Sequence, residues 1–302
     1  MSEPQQTRCG MVGIIGAPNA GKSTLVNRLV GSKITIVSPK VQTTRTRVMG
    51  ILTEGNAQII LMDTPGIFAP KRRLDRAMVN AAWQGARDGD AVLLLVDVGK
   101  GRINDESRAI IDKLNETKRT VALVLNKIDM IEKDKLLALT AQLNDMGSFS
   151  DIYMISALKG DGVDRLRADL AARMPQGPWM FGEDQITDMP MRMLAAEITR
   201  EQLFLQLGDE LPYDSTVESE KWEEFDDGSA KISQTIYVRR DTQKAIVLGK
   251  GGARIKSIGA RARSELEAIT GRRIHLSLFV KVRDNWGDDP ARYRDWGLDF
   301  NV

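Results

Sequence analysis

The chain has 302 residues, enough for about two domains at ~150 residues each. Hydrophobic residues make up 42%, which excludes a disordered chain, and aromatics only 5%, so the cores must be aliphatic. The formal net charge is +2, a total that by itself argues against a nucleic-acid binder. One cysteine, Cys9, excludes an intramolecular disulfide and fits a reducing compartment. With a single histidine beside it, no His/Cys zinc cluster can form. The first ten residues are polar and lack the apolar core of a signal peptide. The longest apolar runs, such as 91–96, fall far short of the ~20 residues that span a bilayer.

From residue 10 to 175, short apolar runs alternate with longer amphipathic stretches. The runs are 12–16, 57–62, 91–96, 121–125 and 152–155, rich in Val, Ile and Leu, and they read as strands buried on both faces. The stretches between carry helical spacing, as in Ile110, Ile111 and Leu114, or Leu136, Leu137, Leu139 and Leu143. Strand alternating with helix predicts an α/β domain with a mostly parallel sheet and helices on both faces. Ligands of such folds sit in the loops at the carboxyl ends of the strands. Pro175 to Pro178 breaks the pattern, and a boundary near 180 divides a domain 1–180 from a domain 181–302. Beyond it the predicted order is a helix at 191–207, strands at 216–225 and 231–238, a helix entered at Thr242, a helix at 253–270 and a strand at 273–282.

Between the first strand and a predicted helix at 23–30 lies Gly16-Ala17-Pro18-Asn19-Ala20-Gly21-Lys22-Ser23, followed by Thr24. This is the phosphate-loop pattern in its required strand–helix context. Glycines let backbone N–H groups point at phosphate oxygens, and the helix dipole adds positive potential. Lys22 can reach the β/γ-phosphates, and the Ser23 hydroxyl can ligate Mg²⁺. A chance match in a chain of this length has odds on the order of one in a hundred.

Three further loops follow predicted strands in order. Asp63-Thr64-Pro65-Gly66 offers an Asp for Mg²⁺ and a Gly66 N–H that can sense a γ-phosphate. Asn126-Lys127-Ile128-Asp129 offers a carboxylate for the N1–H and 2-amino donors of guanine, a pair that adenine lacks. Asn126 can brace that loop, and the Lys127 stem can cover the base. Ser156-Ala157-Leu158-Lys159 offers backbone N–H groups for the guanine O6. Each loop alone reads equally well as an ordinary turn; four in order do not. Residues 10–175 thereby resemble the Ras-like GTPase superfamily, which implies a switch protein that hydrolyses GTP to GDP with Mg²⁺.

In the segment 41–47, a Thr can ligate Mg²⁺ only while the γ-phosphate is present. Thr44 is preferred, with Thr43 the alternative. Where Ras-like proteins carry a water-orienting Gln, this chain has Ile67, which cannot hydrogen-bond water. Asn19 resembles the Asn that helps hold a potassium ion in related GTPases lacking that Gln, which implies slow, K⁺-stimulated hydrolysis. The catalytic set is therefore Asn19, Lys22, Thr44 and Gly66. Lys71, Arg72, Arg73 and Arg76 form a basic stretch after the Asp63 loop, readable as a solvated helix start or as a nucleotide-dependent contact surface.

In the second domain the bulk charge comes apart. Residues 181–230 hold 3 basic and 14 acidic side chains, and residues 231–283 hold 13 basic and 3 acidic. The basic block contains Gly249-Lys250-Gly251-Gly252, with Arg254 and Lys256 after it, between two predicted helices. Such a loop lets a nucleic-acid backbone approach closely, with Ile246, Val247, Leu248 and Ile255 flanking it as a platform for bases. Residues 190–283 resemble the α+β type II KH domain, which implies single-stranded RNA held about four nucleotides at a time. An acidic face beside a basic one suggests that the first screens the second until GTP binds. His275 reads as structural, and Trp286 and Trp296 as caps on the core, with stacking on RNA the alternative for the two tryptophans.

A Ras-like GTPase domain followed by a type II KH domain resembles, as a whole, the Era family of bacterial GTPases. That resemblance implies binding to 16S ribosomal RNA near its 3′ end and a role in assembly of the 30S ribosomal subunit. It further implies a monomer in the cytoplasm with partial peripheral association at the inner membrane.

Overall fold

The computed structural model describes residues 6–208 and 210–302, and the chain divides into two compact units. The first unit comprises the chain up to Ile34, Thr44–Asp188 and Tyr293–Val302; the second comprises Thr35–Thr43 and Met189–Arg292.

The first unit contains β1 (Arg8–Gly16), α1 (Lys22–Val30), β2 (Val48–Glu54), β3 (Ala57–Asp63), α2 (Arg73–Asp88), β4 (Ala91–Asp97), α3 (Asp105–Glu116), β5 (Val121–Asn126), α4 (Lys133–Met146), β6 (Phe149–Ile155) and α5 (Val163–Arg173). The sheet order is β2-β3-β1-β4-β5-β6. All neighbours are parallel except β2 and β3. Every residue of β3 and of β5 is buried, as their apolar runs require of strands covered on both faces. The apolar pattern did not reveal β2, whose sequence mixes Gly50, Thr53 and Glu54 with its aliphatics. Its signal lay in Gly55-Asn56, a two-residue connection to β3 with Gly55 at φ 59°.

The expected cut at residue 180 differs from the observed division. Residues 175–188 run along the first unit. Gln58 of β3, fully buried, accepts from the backbone N–H groups of Met180 (2.9 Å) and Phe181 (3.0 Å) and donates to the Phe181 carbonyl (2.9 Å). Residues 293–302 also pack here, with Tyr293 and Leu298 against Ala77, Met78 and Ala81 on the apolar stripe of α2.

The second unit has α6 (Met191–Gln206), β7 (Ser215–Glu224), β8 (Ala230–Val238), α7 (Asp241–Leu248), α8 (Ala253–Thr270) and β9 (Ile274–Val282), and α9 (Pro290–Asp295) begins in it. This is the order expected from the sequence. The sheet is β7-β8-β9, antiparallel then parallel. Leu194, Ala195 and Ile198 of α6 share one core cluster with Ala262 and Leu266 of α8, and Ile36 of the segment 35–43 lies in it. Trp286 is buried, its Nε1 donating to the Asp214 carbonyl at 3.0 Å. His275 is exposed and edge-on to Phe225, at 6.4 Å between ring centroids.

Within the acidic stretch 181–230, expected to screen the basic face, the carboxylates of β7 meet basic groups away from the glycine loop. Glu220 meets Lys281 at 3.1 Å, Glu224 meets Arg272 at 3.0 Å and Glu223 meets Lys231 at 3.8 Å. Lys231 of β8 lies directly opposite Glu223, Lys281 is on β9 and Arg272 just precedes it. Among the described residues, none pairs with Lys250 or Lys256. No helix of the described residues is long and apolar enough to cross a membrane.

Candidate nucleotide and nucleic-acid sites

In the first unit, all four loops singled out from the sequence lie at the carboxyl ends of β1, β3, β5 and β6. The loop 16–21 turns from β1 into α1 and places Lys22 and Ser23 on the first turn of the helix, with Thr24 next. Lys22 is buried, and its Nζ donates to the carbonyls of Gly16 (3.2 Å) and Ala17 (3.1 Å). Burial lowers its pKa to about 8, while the Asp63 carboxylate works in the opposite direction. Asn19, at the crest of the loop, has φ 61°.

Three oxygens converge beside this lysine. Ser23 Oγ donates to Asp63 Oδ2 at 2.7 Å and lies 2.9 Å from Thr44 Oγ1. They come from α1, the end of β3 and the segment that precedes β2. A carboxylate with two hydroxyls suits a small, hard divalent cation that keeps waters and phosphate oxygens as its other ligands. Thr43 points elsewhere: its Oγ1 donates to the Lys40 carbonyl at 2.9 Å and lies 2.6 Å from Ser38 Oγ. The structure thus brings Thr44 to the cluster and leaves its alternative out. Among the described residues, no group of three His, Cys, Asp or Glu side chains could hold a metal.

Gly66 packs against the phosphate loop so closely that a Cβ there would lie 2.9 Å from Pro18 Cα, N and Cγ. Thr64 secures this approach by donating to the Ile14 carbonyl at 2.7 Å. Ile67 donates its N–H to the Gly16 carbonyl at 3.1 Å and buries its side chain in the core, so it orients no water.

Asn126 ties three loops together. Its Nδ2 donates to the Ala20 carbonyl at 2.8 Å, and its Oδ1 accepts from the Ala157 N–H at 2.9 Å. The Ala157 N–H is therefore engaged in bracing the loops. Asp129 is half-buried, and a hydrogen bond from Ser156 holds its carboxyl below its ordinary value. Two partners escaped the sequence reading. Asp97 pairs with Lys127 Nζ at 2.5 Å, and Arg28 of α1 donates to the Ala157 carbonyl at 3.2 Å. Asp97 had a signal, as an acid at the end of a buried strand; Arg28 had none, because nothing local marks a helix-surface arginine as a loop brace.

The basic stretch at α2 is partly engaged. Asp75 accepts from the N–H groups of Lys71 and Arg72, Arg73 lies 4.4 Å over the Phe300 ring, and Arg76 Nε donates to the Val302 carbonyl at 3.3 Å.

In the second unit, α7 stops at Gly249 (φ 72°), and Lys250–Gly252 forms one tight turn before α8. Gly251 and Gly252 have φ of 59° and 76°, and a Cβ on either would point into open space. These are positions where glycine is at ease and where a ligand backbone can come close. Lys250 and Lys256 are exposed, and Arg254 Nη1 donates to the Ile246 carbonyl at 2.9 Å, closing the turn. Ile246 stands 47% exposed beside it, an apolar surface at the rim of the loop.

The fold and these two sites define a phosphate-loop GTPase joined to a KH domain. Residues 11–127 match the family described as a 50S ribosome-binding GTPase, and residues 210–287 match the KH domain. GTPase Era of Afipia carboxidovorans is 60% identical over 97% of this chain and 95% of its own length. GTPase Era of Bradyrhizobium sp. strain BTAi1 is 61% identical over 98% and 96%. The chain belongs to the GTPase Era family and hydrolyses GTP. A crystal structure of Era with MgGDPNP and nucleotides 1506-1542 of 16S ribosomal RNA superposes with TM-score 0.90, at 38% identity over 98% of this chain and 100% of that one. A variant of Aquifex aeolicus Era bound to GDP.AlF4- gives 0.89 at the same identity and coverage.

Proposed function

We propose that this protein couples its GTP cycle to recognition of 16S ribosomal RNA near the 3′ end, and so acts in assembly of the 30S subunit. The observation that carries the reading is the presence in one chain of the converged Ser23–Asp63–Thr44 oxygens and the loop open at Gly251 and Gly252. The relative crystallised with MgGDPNP and a 16S fragment supports both halves.

The loop from Gly16 through Ala17, Pro18, Asn19, Ala20 and Gly21 curls around the β- and γ-phosphates, and Lys22 exchanges its two carbonyl acceptors for phosphate oxygens. Ser23, Thr44 and Asp63 hold Mg²⁺, which supplies positive charge against the phosphates. Thr24 completes the helix turn at the phosphates. Gly66 presents its N–H to the γ-phosphate. Asp129 accepts the two guanine donors, Lys127 covers the base, and Asn126, Ser156 and Ala157 hold those loops in register. Asn19 serves a bound K⁺, because Ile67 offers no water-orienting group; equal hydrolysis in matched KCl and NaCl would sink that assignment.

Lys250 and Lys256 meet RNA phosphates, Gly251 and Gly252 let the strand approach, Gly249 makes room for Arg254, and Arg254 keeps the turn closed. The same reading has a monomer in the cytoplasm that associates peripherally with the inner membrane, supported by the family resemblance. Crosslinking the full chain to cellular RNA, loaded with GTP analogue or with GDP, tests the reading: recovery of the 16S 3′ region is expected, and its absence in both states contradicts it.

A further inference from the structure

The basic stretch at the start of α2 spends two of its cations on one short segment, residues 293–302. Arg73 lies 4.4 Å over the Phe300 ring, and Arg76 Nε donates to the Val302 carbonyl at 3.3 Å. Phe300 in turn meets Tyr293 edge-on, with ring centroids 5.0 Å apart. The segment belongs to the first unit, as do α2 and the four nucleotide loops.

α2 is buried along two stripes. Ala82 and Ala86 face the core shared with β4 and α3, while Ala77, Met78 and Ala81 face Tyr293 and Leu298. Phe68 and Leu74 pack against that second cluster. The second stripe thus lies on the half of the helix nearer the Asp63 loop, and residues 293–302 cover it. Small side chains at 77 and 81 let the segment come close enough to bury Tyr293 fully.

Phe68 links this packing to the chemistry. It stands two residues after Gly66, whose approach to Pro18 leaves no room for a Cβ, and one after Ile67, whose N–H donates to the Gly16 carbonyl. The stretch 66–68 is therefore held on one side by the phosphate loop and on the other by the cluster that the segment covers.

We infer that residues 293–302 are a clamp on α2 that positions the Gly66 loop for hydrolysis, with Leu298 and Phe300 as its positioning residues. The inference rests on the reading of Gly66 as the donor to the γ-phosphate. The geometry gives the direction. The clamp is docked in the same arrangement in which Gly66 packs against the phosphate loop, so loosening it lets that loop drift and slows hydrolysis. GDP has no γ-phosphate for Gly66 to meet, so its affinity holds. Arg73 and Arg76 then serve a contact within the first unit, not an RNA surface.

Single-turnover GTP hydrolysis and fluorescent GDP affinity, measured on the full chain with Mg²⁺, test the clamp. The variants are Phe300→Ala, Leu298→Ala, Phe300→Tyr and Arg73→Gln, with Gly66→Ala and Leu170→Ala as references. Arg73 is exposed, so Arg73→Gln keeps the test alive should the apolar truncations not fold. The rate should fall about tenfold in Phe300→Ala and Leu298→Ala, the scale of a reacting group displaced by a fraction of an ångström. It should fall less in Arg73→Gln and stay near the parent in Phe300→Tyr, which keeps the ring. GDP affinity should stay near the parent throughout these four. Leu170 is buried in α5, close to Ala172, whose carbonyl meets Arg8 at the start of β1, away from the nucleotide loops. Leu170→Ala should therefore lower the melting temperature and leave the rate. An unchanged rate in those of Phe300→Ala, Leu298→Ala and Arg73→Gln that fold, with Gly66→Ala slowed, overturns this inference alone. A parental rate in Gly66→Ala overturns the reading of Gly66 and the inference with it. A faster rate in Phe300→Ala would make the segment a brake, and equal slowing in Leu170→Ala would make it merely structural; either overturns the inference.

Discussion

Asn126 Nδ2 donates to the Ala20 carbonyl across 106 residues of sequence, at 2.8 Å, and so fastens the base-reading loop to the phosphate loop. The same side chain accepts from Ala157. Removing it should loosen phosphate and base sites together. Asn126→Ala is expected to weaken GTP and GDP alike by about ten- to a hundredfold, because two buried partners lose their bond at once. Titration with fluorescent GTP and GDP reads this. A loss confined to one nucleotide would place Asn126 in a different role.

Asp129 is the group assigned to guanine, and its exchange for Asn turns one acceptor into a donor. Asp129→Asn should weaken GTP about a hundredfold or more and favour xanthosine triphosphate, whose C2 carries a carbonyl in place of the amino group. Competition between the two triphosphates for the variant measures it. Unchanged preference for GTP would move base recognition elsewhere.

Gly66 has no room for a side chain, since a Cβ would lie 2.9 Å from Pro18 backbone atoms. Gly66→Ala should therefore hold the Asp63 loop away from the phosphates. The expected result is GDP affinity near that of the parent and a hydrolysis rate lower by about a hundredfold, the scale of losing one donor to developing charge. Single-turnover hydrolysis checks this.

Much of this site was legible in the sequence because its chemistry is local. The spacing from Gly16 to Ser23 and the strands before Asp63, Asn126 and Ser156 are contiguous signals, and the helix–strand order of the second unit followed from apolar periodicity. Partners across the fold were not legible. Arg28 and Asp97 act through space on loops about 130 and 30 residues away. The segment 35–43 reads as a polar loop, since nothing in Thr, Ser and Pro says which unit it will join. The division near 180 missed residues 181–188 for the same reason: their hold on the first unit comes from distant strands, Gln58 of β3 at Phe181 and β2 at the far end, where Ile51 N–H donates to the Ile186 carbonyl and Met49 N–H to Asp188 Oδ1, each at 2.9 Å.

Lys22 gives a pH signature. Burial lowers its pKa to about 8, against an ordinary lysine value of 10.5. Between those values the unfolded chain binds a proton that the folded one does not, so Lys22 makes stability rise with pH across that window. Below about pH 8 the buried charge is a constant cost. Lys22→Met should remove this part of the slope and raise the melting temperature of the nucleotide-free protein at pH 7 by roughly a few degrees. Thermal melts of parent and variant from pH 7 to 10 test it, and parallel curves would contradict the assignment.

The most direct test of the whole account is the affinity of the full chain for a single-stranded RNA carrying the 16S 3′-end sequence, compared between the GTP-analogue and GDP states. Tighter binding with the analogue is expected, and Gly252→Asp, which adds a negative side chain at φ 76° in the loop, should abolish it. Equal affinity in the two nucleotide states would contradict the coupling, because a ligand shifts only an equilibrium between states it tells apart.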